Sequence, residues 1–117
     1  MSELSIRETA ERSGLSSHTL RYYEEVGLVG PVARNDAGHR RFDDDDLDRL
    51  EFVRCLLSTG MSLDRIRAFI EIDDVPATVA ERRRILEVQR DLLDDEIARL
   101  RRHRAHLTEK LGHYVVT

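Results

Sequence analysis

A leucine recurs at every seventh position towards the end of the chain, at Leu86, Leu93, Leu100 and Leu107. No glycine or proline interrupts residues 77–111, so the pattern predicts one helix of roughly 50 Å at about 1.5 Å per residue. The roughly 70 residues before it are too few to cover so long an apolar stripe. The repeat therefore predicts a coiled coil in which a second copy of the chain covers the stripe.

The predicted dimer seam also includes isoleucine and leucine residues that lie four positions after two of the heptad leucines. Its members are Leu86, Leu93, Ile97, Leu100, Leu107 and Leu111. A long helical hairpin that packs on itself is the alternative, but no turn signal lies inside the run.

Composition bounds the class of protein. The 117 residues suffice for about one domain, and 40% apolar with 36% charged residues describes a soluble, mostly helical chain. No apolar run approaches the ~20 residues of a membrane span, and the N-terminus does not look like a signal peptide. A single cysteine excludes an internal disulfide, so we expect a cytoplasmic protein. No nucleophile-base pattern, phosphate-binding glycine loop or metal cluster indicates an enzyme, and no cofactor is predicted.

Residues 5–25 show the signals of two short helices. Ser5 and Glu8 form a predicted capping box, and Gly14 ends the first helix. Ser16 can cap a second helix that runs to about Glu25. Two short helices joined by so tight a turn predict a helix-turn-helix.

Residues 27–42 lack a helical period. Pro31, Asn35 and Gly38 separate two short extended pieces, Val32–Arg34 and Arg40–Phe42. This pattern predicts a β-hairpin wing with Phe42 as its hydrophobic anchor. We expect Arg40 and Arg41 at its tip, where their replacement should leave the thermal midpoint nearly unchanged.

Two further helices and a linker complete the predicted organisation. Asp43–Asp46 places acids in the first turn of the third helix, Gly60 ends it, and Ser62 caps a fourth. The predicted domains are a DNA-binding head at 1–72, a linker at 73–77, a dimerisation helix at 78–114 and a tail at 115–117.

The charge balance argues against a general polyanion binder. The net charge is −4, and residues 1–42 contain six arginines and six acidic residues. Any binding to DNA therefore requires a surface on which the arginines are separated from the carboxylates.

The run Leu20–Leu28 (LRYYEEVGL), with Pro31, Arg34 and the segment Gly38–Phe42 (GHRRF), resembles the DNA-binding segment of MerR-type transcription regulators. The resemblance covers residues 4–71 closely and 77–114 more loosely. It implies a winged helix-turn-helix head and a long helix that pairs antiparallel with its twin. It also implies a homodimer that binds a dyad site in double-stranded promoter DNA and distorts the spacer, so that RNA polymerase engages both promoter elements. Such a protein is usually an activator.

Positions that match the family motif supply the DNA-binding candidates. They are Ser17, His18, Arg21, Tyr22, Tyr23, Arg34, His39, Arg40, Arg41 and Ser62. Half-buried packing is the alternative for Tyr22 and Tyr23, a plain surface position for His18, and a solvated turn for Arg40 and Arg41.

Residues 51–62, which contain the only cysteine, are similar to a short-chain MerR branch of the NmlR and AdhR type, with aldehyde- and nitrosative-stress regulators. The resemblance makes Cys55 a sensor candidate, and a buried core cysteine is the alternative. No cysteine pair offers a site for a soft metal, and no metal is predicted. His103, His106 and His113 could bind zinc with a partner chain, but surface histidines are the simpler interpretation.

Two hypotheses for function remain. The first is a dimeric MerR-type regulator that responds to electrophile or nitrosative stress through Cys55. The second is an accessory or structural DNA-binding protein of the same fold with no effector response.

Overall fold

A computed structural model describes residues 3–72, 74–114 and 116. The chain divides into two compact units, Met1–Asp73 and Asp74–Thr117. Residue 73 of the predicted linker and residues 115 and 117 of the predicted tail lie outside the described residues.

Five helices and one two-stranded sheet make up the described chain. In order they are α1 (Ile6–Ser13), α2 (Ser17–Glu25), β1 (Ala33–Arg34), β2 (Arg40–Arg41), α3 (Asp44–Ser58), α4 (Leu63–Ile70) and α5 (Val79–Leu111), with a single 3-10 turn at Pro76–Thr78 before α5.

Each of the four α-helices in the first unit has a side-chain cap at its N-terminus. Ser5 and Glu8 form the predicted capping box of α1, and Ser16 accepts the Thr19 N–H to cap α2. Asp43 caps α3 and Ser62 caps α4. Each cap satisfies a backbone donor that the first turn leaves without a partner.

The wing is a short antiparallel hairpin in which Ala33 pairs with Arg41 and Arg34 with Arg40. Asn35 closes its loop by accepting the N–H groups of Ala37 and His39 at 3.1 and 3.0 Å. So short a hairpin is not stable alone, and its base is tied to the rest of the unit.

Phe42 and Leu4 tie the base of the wing to the chain before α1. Their backbones exchange two hydrogen bonds of 2.8 and 2.7 Å. The Phe42 side chain is completely buried, which confirms it as the hydrophobic anchor.

The core of the first unit combines residues from α2, the loop after it, α3 and α4. Its buried apolar members are Leu20, Tyr23, Leu28, Val29, Val32, Phe42, Leu50, Val53, Leu56, Met61 and Ile66. The core thus fixes α2 and the base of the wing on one support.

The second unit contains a single unbroken helix of 33 residues, α5. The alternative of a helical hairpin is therefore wrong. The regular helix is shorter than the predicted 78–114, because Pro76–Thr78 forms the 3-10 turn and Gly112 follows the last helical residue. No helix within the described residues is long and apolar enough to cross a membrane.

The predicted seam residues lie along α5, and most of them are exposed within one chain. Leu86 and Leu93 are half-buried, whereas Leu100, Leu107 and Leu111 are 52%, 66% and 70% exposed. Ile97 is also exposed, at 38%. The last three turns of α5 therefore present an uncovered apolar stripe.

Candidate nucleic-acid interface

The exposed face of α2 carries four of the predicted DNA-binding residues. Ser17 begins the helix, and His18, Arg21 and Tyr22 are exposed, Tyr22 by 44%. Tyr23 is only 9% exposed and belongs to the core. Successive helical positions point about 100° apart, so the two adjacent tyrosines face different surroundings. The packing alternative describes Tyr23, and we do not propose it as a DNA contact.

The sequence suggested that the two arginines after His39 occupy the tip of the wing, and this prediction is wrong. They form β2, and residues 36–38 form the tip. Both already have partners: Arg40 Nε lies 2.5 Å from Glu24 Oε1, and Arg41 donates to the Glu3 carbonyl at 3.0 Å. The expectation that their replacement leaves stability unchanged is therefore revised, because the Arg40 contact is largely buried.

One groove joins the start of α1, the exposed face of α2 and the wing. It is lined by Ser5, Ile6, Arg7, Arg21, Arg34, Asn35, Gly38, His39, Arg40 and Arg41. Five of the six arginines in residues 1–42 are in this set, and it contains no carboxylate. The lining is positively charged although the segment is neutral overall, and the separation from carboxylates is partial, because Glu11, Glu24 and Glu3 lie within ion-pair distance of Arg7, Arg40 and Arg41.

Two arginines of the groove differ in how firmly they are held. Arg34 donates to the carbonyl of Gly38 at 2.9 Å, which points its guanidinium along the wing. Arg21 makes no hydrogen bond or ion pair with any other described residue. A guanidinium on an exposed helix face is suited to bind phosphate or the edge of a guanine.

A carboxylate behind the groove connects α2 to β2 and to the residue before β1. Glu24 Oε2 accepts the Val32 N–H at 3.0 Å, and Glu24 Oε1 accepts from Arg40 Nε. Partial burial raises the pKa of Glu24, but the hydrogen bonds from Arg40 and Val32 outweigh it and leave this pKa below its usual value of 4.5. Glu24 is therefore ionised at neutral pH.

The depressed pKa of Glu24 predicts an acid-dependent loss of stability. The contribution of this carboxylate is complete above pH 4.5 and disappears as the pH falls through its lower folded-state value. Glu24→Gln should therefore lower the urea midpoint at pH 6 and have a smaller effect at pH 3. Glu25→Gln, which alters the exposed neighbour, should shift the midpoint little at either pH. Equal effects of Glu24→Gln at both pH values would contradict the assignment.

The remaining candidates lie on α3 and α4. Ser62 is exposed and caps α4 by accepting the Arg65 N–H at 3.2 Å. Cys55 is exposed on α3, so the alternative of a buried core cysteine is wrong for the single chain. Its neighbour Arg54 is turned away to the carbonyl of Ser13.

Within the described part of the chain, no three His, Cys, Asp or Glu side chains lie close enough together to hold a metal ion. His103, His106 and His113 are all exposed.

Sequence reasoning missed two residues that shape the groove, and it marked a third, Asn35, only as a loop residue. Arg7 lines it from α1, Asn35 organises the wing loop, and Glu24 holds the wing to α2. An Asx turn was readable at Asn35 from its position before Asp36 and Gly38. No local signal marks Arg7 or Glu24, because their roles depend on contacts between segments.

Comparison with known proteins finds MerR family models that match both the first unit and most of α5. Residues 4–71 match the family model for the MerR HTH family regulatory protein, and residues 47–110 match the model for the MerR DNA-binding region. An HTH-type transcriptional regulator of Haemophilus influenzae, itself uncharacterised, is 40% identical over 92% of this chain and 80% of its own length. AdhR of Bacillus subtilis is 38% identical over 83% of this chain, which spans 65% of AdhR.

A solved structure is similar over nearly the whole chain. HiNmlR, described as a MerR family regulator lacking the sensor domain and bound to promoter DNA, has 39% identity and a TM-score of 0.84. The match covers 94% of this chain and 88% of HiNmlR. These relatives are transcriptional regulators rather than enzymes, and this chain is a DNA-binding member of the MerR family of transcription regulators.

Proposed function

We propose that this regulator binds a dyad-symmetric promoter site as a homodimer and controls transcription by distorting the DNA. The observation that carries the proposal is the groove, in which five arginines of a neutral segment face one side without a carboxylate. DNA contacts are assigned to Ser17, His18, Arg21 and Tyr22 on α2, to Arg34, His39, Arg40 and Arg41 on the wing, and to Ser62 at the start of α4.

The uncovered stripe on α5 supports the dimer. Burying a leucine side chain contributes about 1.5–3 kcal/mol, and six seam residues per chain offer such contacts. Two heads held by one antiparallel coil would present their α2 helices to two half-sites. Contact energy from both heads can offset the cost of bending and untwisting the DNA between them. RNA polymerase is then the second partner, recruited to the distorted promoter.

Selection of binding sites from a pool of random duplexes tests this proposal. We expect two inverted half-sites at a fixed spacing, protected together in a footprint. Circular-permutation mobility should show bent DNA in the complex. Recovery of duplexes without any sequence preference would instead favour the accessory DNA-binding protein, whose affinity depends only on its arginines and on salt.

For the signal, we propose Cys55. It is the only thiol of the chain, it is exposed on α3, and residues 51–62 resemble the thiol-dependent stress-response branch of the family. An aldehyde adds to the thiol to form a hemithioacetal, in which sulfur bonds to the carbonyl carbon and the proton ends on oxygen. A changed group on α3, which belongs to the DNA-binding head, would alter the packing among α3, α4 and the partner's coil, and packed elements tend to switch between discrete arrangements.

Cys55→Ser should bind the promoter as wild type does but lose its transcriptional response to formaldehyde and to a nitrosating agent. In vitro transcription with purified polymerase measures this response. Lys110→Arg is the control, because Lys110 is the only lysine side chain that an aldehyde could modify. Full induction of the Cys55→Ser protein would remove the sensor role and favour a regulator without an effector response.

A further inference from the structure

Three residues form a contact between α2 and the wing. We call Glu24, Val32 and Arg40 the wing clamp. One carboxylate oxygen of Glu24 accepts the Val32 N–H at 3.0 Å, and the other accepts the Arg40 Nε–H at 2.5 Å. Val32 immediately precedes β1, and Arg40 begins β2. A single side chain of α2 therefore holds β2 and the residue that precedes β1.

The clamp is sheltered from solvent. The Glu24 and Arg40 side chains are 16% and 21% exposed, and Val32 is buried. An exposed ion pair contributes little, whereas a hydrogen bond between charged groups in a partly buried site is stronger and more directional.

The backbone between α2 and the wing is shaped to permit this contact. Gly30 has a φ of +91°, and a Cβ there would lie 2.6 Å from the nitrogen of Val32 and 3.4 Å from Cγ of Glu24. Glycine is required where the chain makes so close an approach at positive φ. The turn thereby delivers the Val32 N–H to the carboxylate.

The clamp matters for DNA binding because the wing is too short to hold its own orientation. Strands of two residues do not form an independently stable hairpin. The Leu4–Phe42 bonds fix its base, but only the clamp joins its strands directly to α2 among the contacts described. A wing fixed in advance avoids the entropy that would be lost on ordering it against DNA.

We infer that Glu24 is a positioning residue for DNA binding: it locks the wing to α2 through Val32 and Arg40, so that Arg34 and Arg21 face the same stretch of DNA. This inference rests on the proposed DNA contacts of the groove. It makes a prediction opposite to that of simple electrostatics. Removing a negative charge near phosphates should strengthen binding, yet loss of Glu24 should weaken it.

Glu24→Gln and Glu25→Gln form a matched pair for the test. Both remove one negative charge from the end of α2, but Glu25 is exposed and makes no described contact. Binding to the selected promoter duplex is measured by fluorescence anisotropy from 50 to 300 mM salt, at a temperature where circular dichroism shows each variant folded. We expect Glu24→Gln to bind at least tenfold more weakly than Glu25→Gln.

The salt dependence of the binding constant distinguishes two roles for Glu24: positioning of the wing and neutralisation of Arg40. If Glu24 merely neutralises Arg40, then Glu24→Gln frees a guanidinium, and the slope of log K against log salt steepens by about 0.9 for each phosphate gained. Under positioning the slope stays the same or becomes shallower. Tighter binding with a steeper slope, or affinity equal to that of Glu25→Gln, would overturn the inference.

A second variant covers the case in which Glu24→Gln does not fold. Glu24→Asp keeps the charge but shortens the side chain, so it cannot reach both Val32 and Arg40. We expect weaker binding here as well, and unchanged affinity would equally reject the positioning role. Arg21→Ala is measured in parallel. If it binds as tightly as wild type, the proposed interface itself is wrong; if it binds weakly while both Glu24 variants bind normally, only the present inference fails.

Discussion

Leu100→Asp should convert the protein to a monomer and abolish detectable promoter binding. Leu100 lies in the proposed seam and is 52% exposed in a single chain. An aspartate at this position is therefore well solvated in the monomer. In the dimer it would be a buried charge without a partner, which costs several kcal/mol in each chain. Analytical ultracentrifugation at micromolar concentration measures the change in mass, and anisotropy measures the loss of binding.

Ala98→Asp is the matched control for this substitution. Ala98 is exposed on the same helix. Because it lies two positions before Leu100, its side chain points about 160° away from that of Leu100 around the helix axis. The control introduces the same charge outside the seam and should remain dimeric. If the wild-type protein sediments as a monomer, or if Leu100→Asp remains a dimer with normal affinity, the proposed dimer seam is wrong, and so is the dyad-symmetric site inferred from it.

Arg21→Ala should give the second-largest effect, a loss of promoter affinity with almost no loss of stability. Arg21 lies on the exposed face of α2 and lines the groove, and its side chain makes no hydrogen bond or ion pair with other described residues that its replacement would remove. A specific contact with a base edge contributes about 1–3 kcal/mol, and a dimer makes it twice. The expected loss of affinity is therefore about 30-fold to about 20,000-fold, with an unfolding free energy within ~0.5 kcal/mol of wild type.

Arg101→Ala provides the control for charge. It removes one exposed arginine from α5, outside the groove. Both variants lower the net charge equally, so a general electrostatic attraction would weaken both to a similar extent. A strong effect for Arg21→Ala alone supports a contact at this position, and equal weak effects would exclude it.

Local signals in the sequence were sufficient to predict the helices and the wing. Ser5, Ser16 and Ser62 are the N-caps that the sequence predicted, and Asp43, which we expected in the first turn of α3, is the N-cap of that helix. Such caps act within three residues of the chain, so a short stretch of sequence contains all the information needed. The leucine repeat likewise predicted a single long helix, because helical periodicity is also a local property.

The segment from Leu20 to Phe42 was sufficient to identify the family. A helix followed by a hairpin needs particular residue types at a fixed spacing, and this spacing can be recognised in the sequence alone. The positions most in error were those whose surroundings come from distant segments. Tyr23 and Tyr22 are adjacent, but only the packed core decides that one is buried and the other exposed. Cys55 has apolar neighbours in sequence, yet the rotation of α3 places it on the surface.

The tertiary structure alone decided which of these arginines have a partner within the fold. In sequence, Arg21, Arg40 and Arg41 are equivalent cations in a neutral segment. Folding brings Glu24 to Arg40 across 16 residues and the carbonyl of Glu3 to Arg41 across 38, while Arg21 forms no hydrogen bond or ion pair with the residues that the structure describes. Whether a guanidinium is used within the fold or presented to a ligand depends on which groups converge in space, and one-dimensional spacing does not contain that information.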